Sequence, residues 1–427
     1  MRTLQIKNFA CIDDATVKIG EKLTVLIGPQ ASGKSVISKL IYFFQSLLIE
    51  ERQSLEENLS LDAFRDAIKD KFLEWFPIES HGGKIFTVSF NENGESITIA
   101  RTHREGKAHN NIKLWLPKSA QQRYNGILSR ARNLMKTEPS EESDLLLDDW
   151  VVHIRRLHRD AHKERASDAI WTQLFIPAGR SFFTSVGRSI VAFDQPGFLD
   201  PVTRLFGRQF NAALQRQRTF GRHPKIETPV GPFLTDNLDS LLGGQLVTIK
   251  EKDYVRNVDG RLIPVHLLSS GQQEVLPLLV MLMTVAGSKG IFKQTVFIEE
   301  PEAHLFPEAQ STVLQALVQI TNSPVVNPPQ LFITTHSPYV LLQLNNFIKA
   351  GQLARDNFQI DGSLAEIIPA VQQLRPEHVE AYAIKDGQLN NIKSADGLID
   401  AEYIDSVSEN MMAQFSDLLD WEGANIL

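Results

Sequence analysis

The octapeptide Gly28-Pro29-Gln30-Ala31-Ser32-Gly33-Lys34-Ser35 constrains this chain more than any other stretch. It fits GxxxxGK[ST]. It follows the apolar run KLTVLI, which reads as a buried strand ending at Gly28, and it opens the apolar helix SVISKLIYFFQSLLIEE. Strand, glycine loop and helix in that order make a cradle for phosphate. The glycines let backbone N–H groups turn inward, and the helix N-terminus adds partial positive charge. Lys34 is placed to reach the β and γ phosphates of a nucleotide, and the Ser35 hydroxyl to ligate Mg²⁺. At average composition the pattern arises by chance in roughly one chain of this length per hundred. The correct flanking elements lower that further.

Three later segments complete a set. Thr295-Val296-Phe297-Ile298-Glu299-Glu300 is an apolar strand ending in carboxylates. A P-loop site needs an acid at the end of a neighbouring strand to hold Mg²⁺, and Glu299 occupies that place. Glu300, one residue on, is placed as general base for the attacking water. Ser269-Ser270-Gly271-Gln272 opens a helix, where a hydroxyl and free N–H groups make a second anion site or an ordinary N-cap. Gln330-Leu331-Phe332-Ile333-Thr334-Thr335-His336 is a strand ending in a histidine. Glu302 and His304 fit a structural role and a place on the nucleotide face equally well.

Around these motifs the pattern alternates between strands and helices, which predicts a parallel sheet with crossover helices. TLQIKNF and ATVKI read as half-buried strands. Residues 84–116 read as a β-meander with NENG as a turn. The expected fold class is α/β: a mixed sheet bearing the P-loop, a flanking antiparallel meander, and a mainly helical insertion between P-loop and signature segment. The expected divisions are 1–117, 118–244 for the insertion, 245–393, and an acidic C-terminal helix over 394–427. Within the insertion, seven arginines (180, 188, 204, 208, 216, 218, 222) stand against two aspartates (194, 200). They read as a DNA-binding patch or as a set of salt bridges. Arg180, at a strand end in IPAGR, fits either a nucleotide sensor or a structural salt bridge.

Composition excludes several classes. Acids outnumber bases, 51 to 44, and the net charge is −7. A protein that coats nucleic acid along its whole surface would be basic. The lone cysteine, Cys11, permits neither an internal disulfide nor a four-cysteine zinc site. No secretory leader or membrane-spanning run is legible, so a cytoplasmic protein with no membrane partner is expected.

The P-loop, LSSGQQE, FIEEPEAHLFP and TTHSPYVL blocks resemble those of ABC-type ATPases, in the branch with RecF, the SMC proteins and the OLD-family ATPases. The resemblance covers about residues 1–116 and 245–345. It implies an ABC-ATPase head, ATP and Mg²⁺ as ligands, and slow regulatory hydrolysis. It also implies a head-to-head dimer or a higher even-numbered homo-oligomer. In such a pair Ser269, Ser270, Gly271 and Gln272 of one subunit meet the γ-phosphate held by residues 28–35 of the other, and His336 senses or stabilises that phosphate, with Lys34, His336 and Glu300 as the catalytic set. Two positions depart from the family pattern: Ser270 replaces the usual glycine, and Glu299 replaces the usual magnesium aspartate. No Q-loop glutamine can be placed.

A transporter or a long-armed SMC protein is disfavoured by the absence of membrane spans, sustained heptads and a CxxC zinc hook. The 91 residues after His336 contain no D-x-D, so the metal-dependent nuclease domain of OLD enzymes is not expected in this chain. The size and the motif blocks look like the ATPases of PARIS-type antiphage systems, with Septu-type ATPases next. That resemblance implies a sensor that controls a separate effector nuclease and answers to a phage-encoded trigger protein. The alternative is a RecF-like repair ATPase that binds DNA through the arginine-rich segment.

Overall fold

Leu23–Ile27 is buried at every position, so this strand must be covered on both faces of a sheet. The computed structural model describes residues 2–102, 112–137, 143–163, 172–186, 198–220, 230–288, 293–356 and 363–400. Its first half contains β1 (Arg2–Phe9), β2 (Ile12–Lys18), β3 (Leu23–Ile27), α1 (Lys34–Glu56), α2 (Leu61–Trp75), α3 (Ile78–His81), β4 (Phe86–Glu92), β5 (Glu95–Arg101) and β6 (Ile112–Trp115). Then come α4 (Lys118–Thr137), α5 (Ser143–Lys163), β7 (Thr172–Ile176), α6 (Phe182–Val186), α7 (Pro201–Phe220) and α8 (Val230–Leu242). The last part contains β8 (Gly244–Ile249), β9 (Lys252–Asn257), β10 (Leu262–Pro264), α9 (Ser270–Gly287), β11 (Gln294–Glu299), α10 (Pro307–Thr321), β12 (Gln330–Thr335), α11 (Pro338–Asp356), α12 (Ser363–Ile367), β13 (Val379–Lys385) and β14 (Gln388–Asn391).

Eleven strands form one mixed sheet in the order β6-β5-β4-β1-β2-β14-β13-β3-β12-β11-β7. From β13 to β7 the neighbours are parallel, while β4, β5, β6 and the β1–β2 hairpin are antiparallel. The expected meander over 84–116 is therefore the antiparallel wing of this sheet. Strands β8, β9 and β10 form a separate small sheet.

The period of two sets the packing. Val25, Val296 and Ile333 face one apolar core, while Leu26, Phe297 and Phe332 face the other. Register aligns Phe175, Phe297 and Phe332 across three strands, with ring centroids 5.8 and 5.5 Å apart. Tyr42 of α1 meets Phe175 and Phe297 edge-on, which seats the P-loop helix on this row.

Among the described residues of 118–243 every regular element is a helix except β7, and β7 is the edge strand of the main sheet beside β11. Trp150 of α5 donates from Nε1 to the carbonyls of Leu55 and Glu56, at 3.1 and 2.8 Å. It thereby satisfies carbonyls left free at the C-terminal end of α1. Residues 394–400 form a turn closed by the Lys393–Ile399 bridge rather than the start of a helix. The remainder of the expected acidic helix lies outside the described residues. Among the described residues no helix is long and apolar enough to cross a membrane.

Candidate functional site

The parallel strands β7, β11, β12 and β3 all end on one edge, where open α/β sheets bind ligands. That edge carries Ala178–Arg180, Glu299–Glu302, Thr335–Ser337 and Gly28–Ser35, segments from four distant parts of the chain.

The phosphate loop turns at Gly33, which sits at φ 104 as the N-cap of α1. A Cβ there would also lie 2.9 Å from Ile12 Cγ1 and 3.0 Å from Cys11 Sγ, so only glycine fits. Lys34 is buried, and its ammonium donates to the carbonyls of Gly28 and Pro29, both at 2.8 Å. Burial lowers its pKa, and Glu300, Glu302 and Glu299 pull back the other way. Ala31 (φ 59), Pro29, Gln30 and Ser35 are exposed, and the buried Ser32 Oγ has no hydrogen-bond partner.

Lys34 Nζ also stands 3.4 Å from His336 Nδ1, and His336 Nε2 stands 2.8 Å from Glu300 Oε1. The ammonium can only donate, so this network assigns Nδ1 as acceptor and places the ring proton on Nε2, directed at Glu300. Lys34, His336 and Glu300 therefore form one chain of polar contacts.

Glu299 is buried. Its Oε2 accepts from Ala178 N at 3.3 Å, and its Oε1 has no partner. A buried carboxylate oxygen left unpaired suits a cation or its water. Glu300 adopts φ 44, unusual outside glycine, and its N–H donates to Thr334 O at 2.8 Å.

Two residues matter more than their sequence signal. Arg180 is fully buried. It donates from Nε to Glu274 O (2.9 Å), from one terminal nitrogen to Glu299 O (2.8 Å) and Pro177 O (3.2 Å), and from the other to Glu300 O (3.0 Å). It also pairs with the Glu274 carboxylate at 3.4 Å. It thus ties the helix that starts at Ser270 to the end of β11. Glu302 Oε1 accepts from Thr335 Oγ1 (2.6 Å), His336 N (2.7 Å) and Ser337 N (3.2 Å), which fixes the backbone under His336. Both residues lie just past the end of a parallel strand, the signal that singles them out in the sequence without deciding their role.

The Ser269–Gln272 segment stands apart from the Lys34 chain. Ser269 is the N-cap of α9 in a capping box: its hydroxyl accepts from Gln272 N, and Gln272 Oε1 accepts from Ser269 N at 3.0 Å. Gln272 Nε2 also donates to Leu242 O at 2.7 Å. Ser269 and Ser270 are exposed, and a Cβ on Gly271 would lie 2.8 Å from His304 O. His304 is itself exposed, at φ 57.

The arginine-rich segment is partly neutralised. Arg204 pairs with Glu74 at 2.8 Å, Arg218 pairs with Asp253, and Arg180 is buried as above. Arg188 and Arg222 lie outside the described residues.

A phosphate loop at a parallel sheet edge, facing an acidic strand end and a strand-end histidine, defines a P-loop ATPase of mixed α/β architecture. Residues 23–342 match the family described as "AAA domain, putative AbiEii toxin, Type IV TA system", and the chain belongs to that family. The family implies ATP and Mg²⁺ binding in general. Similar solved structures include an SMC head bound to the C-terminal winged-helix domain of ScpA (14% identity, TM-score 0.40, 91% of this chain and 96% of that one). Two others are the SMC head domain from Thermotoga maritima (13%, 0.35, 92% and 98%) and the recombination mediator RecF with ATP (11%, 0.34, 91% and 98%). No curated protein matches the sequence.

Proposed function

We propose that this ATPase is the sensor and scaffold of a prokaryotic antiphage system, resembling AriA of the PARIS type, with PtuA of the Septu type next in likeness. Two or a higher even number of copies pair head to head. Their ATP state controls a separate effector nuclease, and a phage-encoded protein is the trigger. The family's association with toxin–antitoxin systems supports a defence role.

The observation that carries the paired state is the exposure of Ser269 and Ser270 at a helix N-terminus while Lys34, His336 and Glu300 contact one another. A second copy would bring its Ser269, Ser270, Gly271 and Gln272 to the γ-phosphate. Leu267, Phe306 and Tyr339, adjacent to the three motifs, are 65%, 75% and 52% exposed, and such a partner would cover them.

Within each site, residues 28–35 wrap the phosphates and Lys34 exchanges its loop carbonyls for phosphate oxygens. Ser35 and Glu299 would hold Mg²⁺, which neutralises phosphate charge when bound. Glu300 takes the proton of the attacking water, and His336 holds that carboxylate through Nε2–H. Glu302 keeps His336 in place.

The test is a pull-down of tagged Glu300→Gln from its native host with ATP present, followed by mass spectrometry. This variant is expected to bind ATP without hydrolysing it, whereas Lys34→Ala binds none. A stoichiometric nuclease or toxin supports the defence reading. Co-purifying DNA with repair proteins, and no effector, overturns it. Wild-type turnover in Glu300→Gln removes the base assignment separately.

A further inference from the structure

Helix α1 carries the phosphate loop at one end and an unexplained buried cluster at the other. Glu51 of α1 projects toward His158 and His162, which lie one turn apart on the same face of α5. Glu51 Oε1 is 3.7 Å from His162 Nε2 and 3.9 Å from His158 Nε2. The three ligand atoms all lie within 4.8 Å of one another. The imidazole centroids are 4.4 Å apart. Each of the three atoms is buried and lacks a hydrogen-bond partner, because these separations are too long for hydrogen bonds. Unpaired polar atoms turned toward one point inside a protein need an account.

We propose that Glu51, His158 and His162 form a zinc site that clamps the helical insertion onto the P-loop helix. Two imidazole nitrogens and one carboxylate oxygen are a zinc donor set, with a fourth position left for water. Two imidazoles disfavour Mg²⁺ and Ca²⁺, which take oxygen ligands. Tetrahedral coordination at about 2.0–2.2 Å places ligand atoms roughly 3.3–3.6 Å apart. The two Glu51–histidine separations exceed that by a few tenths of an ångström. The frame is already rigid, because Trp150 bonds the end of α1 and Arg155 Nε donates to Glu56 Oε1 at 2.8 Å.

Arg123 Nε stands 3.7 Å from Glu51 Oε1, and Arg52 lies nearby on α1. A carboxylate that only balanced Arg123 would not need two imidazole nitrogens aimed at the same oxygen. With zinc bound, Arg123 remains as an outer partner that orients the carboxylate.

The test uses the full chain, stripped with EDTA, dialysed and free of nucleotide. Added Zn²⁺ is expected to bind at one equivalent per chain and to raise the melting temperature. Co²⁺ should give the visible absorption of a tetrahedral site, displaced by Zn²⁺. The near-isosteric Glu51→Gln and His162→Gln should each weaken zinc binding by more than the roughly 10- to 100-fold that loss of an outer partner costs, while His336→Ala leaves it unchanged. Glu51→Gln keeps the side-chain volume, so the test survives if a histidine variant fails to fold. The proposal falls if no zinc is retained. It also falls if zinc affinity is the same in Glu51→Gln, or if His336→Ala rather than His162→Gln removes the metal.

Discussion

Arg180→Met is the most informative single change. The thioether keeps most of the volume and removes every donor. The carbonyls of Pro177, Glu274, Glu299 and Glu300 lose their guanidinium partner, and the buried Glu274 carboxylate loses its counter-charge. Removing one member of a buried ion pair costs about 3–5 kcal/mol. Each stranded carbonyl adds up to about 1–3 kcal/mol before relaxation. We take about 3–5 kcal/mol as the net loss, because the backbone can move to recover some bonds. At about 2 °C per kcal/mol for a large domain, the melting temperature falls by roughly 6–10 °C. Differential scanning calorimetry reads this directly. Arg180→Lys keeps the charge but not the planar fork. It is expected to lower kcat by about 100-fold through displacement of Glu300, with ATP affinity unchanged, as fluorescent-nucleotide binding would show. A loss below about 1 kcal/mol in Arg180→Met, within the range of an ordinary surface substitution, would mean that this arginine is not the tie between α9 and β11.

Two further expectations follow from the same contacts. Ser270→Arg, on an exposed helix start, should leave ATP binding to each head intact, abolish ATP-dependent pairing in light scattering, and reduce turnover at least about tenfold; retained pairing would remove the composite site. His81 is buried, stacked on Phe9 at 5.6 Å, with both ring nitrogens unpartnered, and burial first and Arg101 second lower its pKa. The unfolded chain takes up the proton near pH 6.5 and the folded chain resists it, so stability is full above about 6.5 and declines as pH falls below it. His81→Phe should flatten that slope and add about 1 kcal/mol at neutral pH, as paired melts at two pH values would show.

The parallel strand–helix units were legible because each announces itself locally. A run such as Thr295–Glu299, apolar and then abruptly acidic, reads as a buried strand whose end meets ligand. The strand Val379–Lys385 was not legible, although it lies directly beside the P-loop strand. It is buried on both faces, so it shows no alternation and carries no motif. Strand β9 was missed for the opposite reason: KDYVRN is short and polar, and only its pairing with β8 and β10 defines it. Glu302 looked ambiguous because an acid after a strand can cap, ligate or position. Three converging donors settle its structural contacts.

The sequence by itself determined the chemistry of the phosphate loop, since glycine spacing, lysine and hydroxyl act within one continuous turn. It also determined the strand–helix alternation, which is a short-range period. Only the tertiary structure decided what those local units share. Parallel register brings His336, 302 positions after Lys34 in the chain, between Lys34 and Glu300. Tertiary packing makes Arg180, open in sequence between sensor and salt bridge, a buried clamp, and it aims two insertion histidines at Glu51. Such meetings depend on which faces are buried against one another, and no local pattern encodes that.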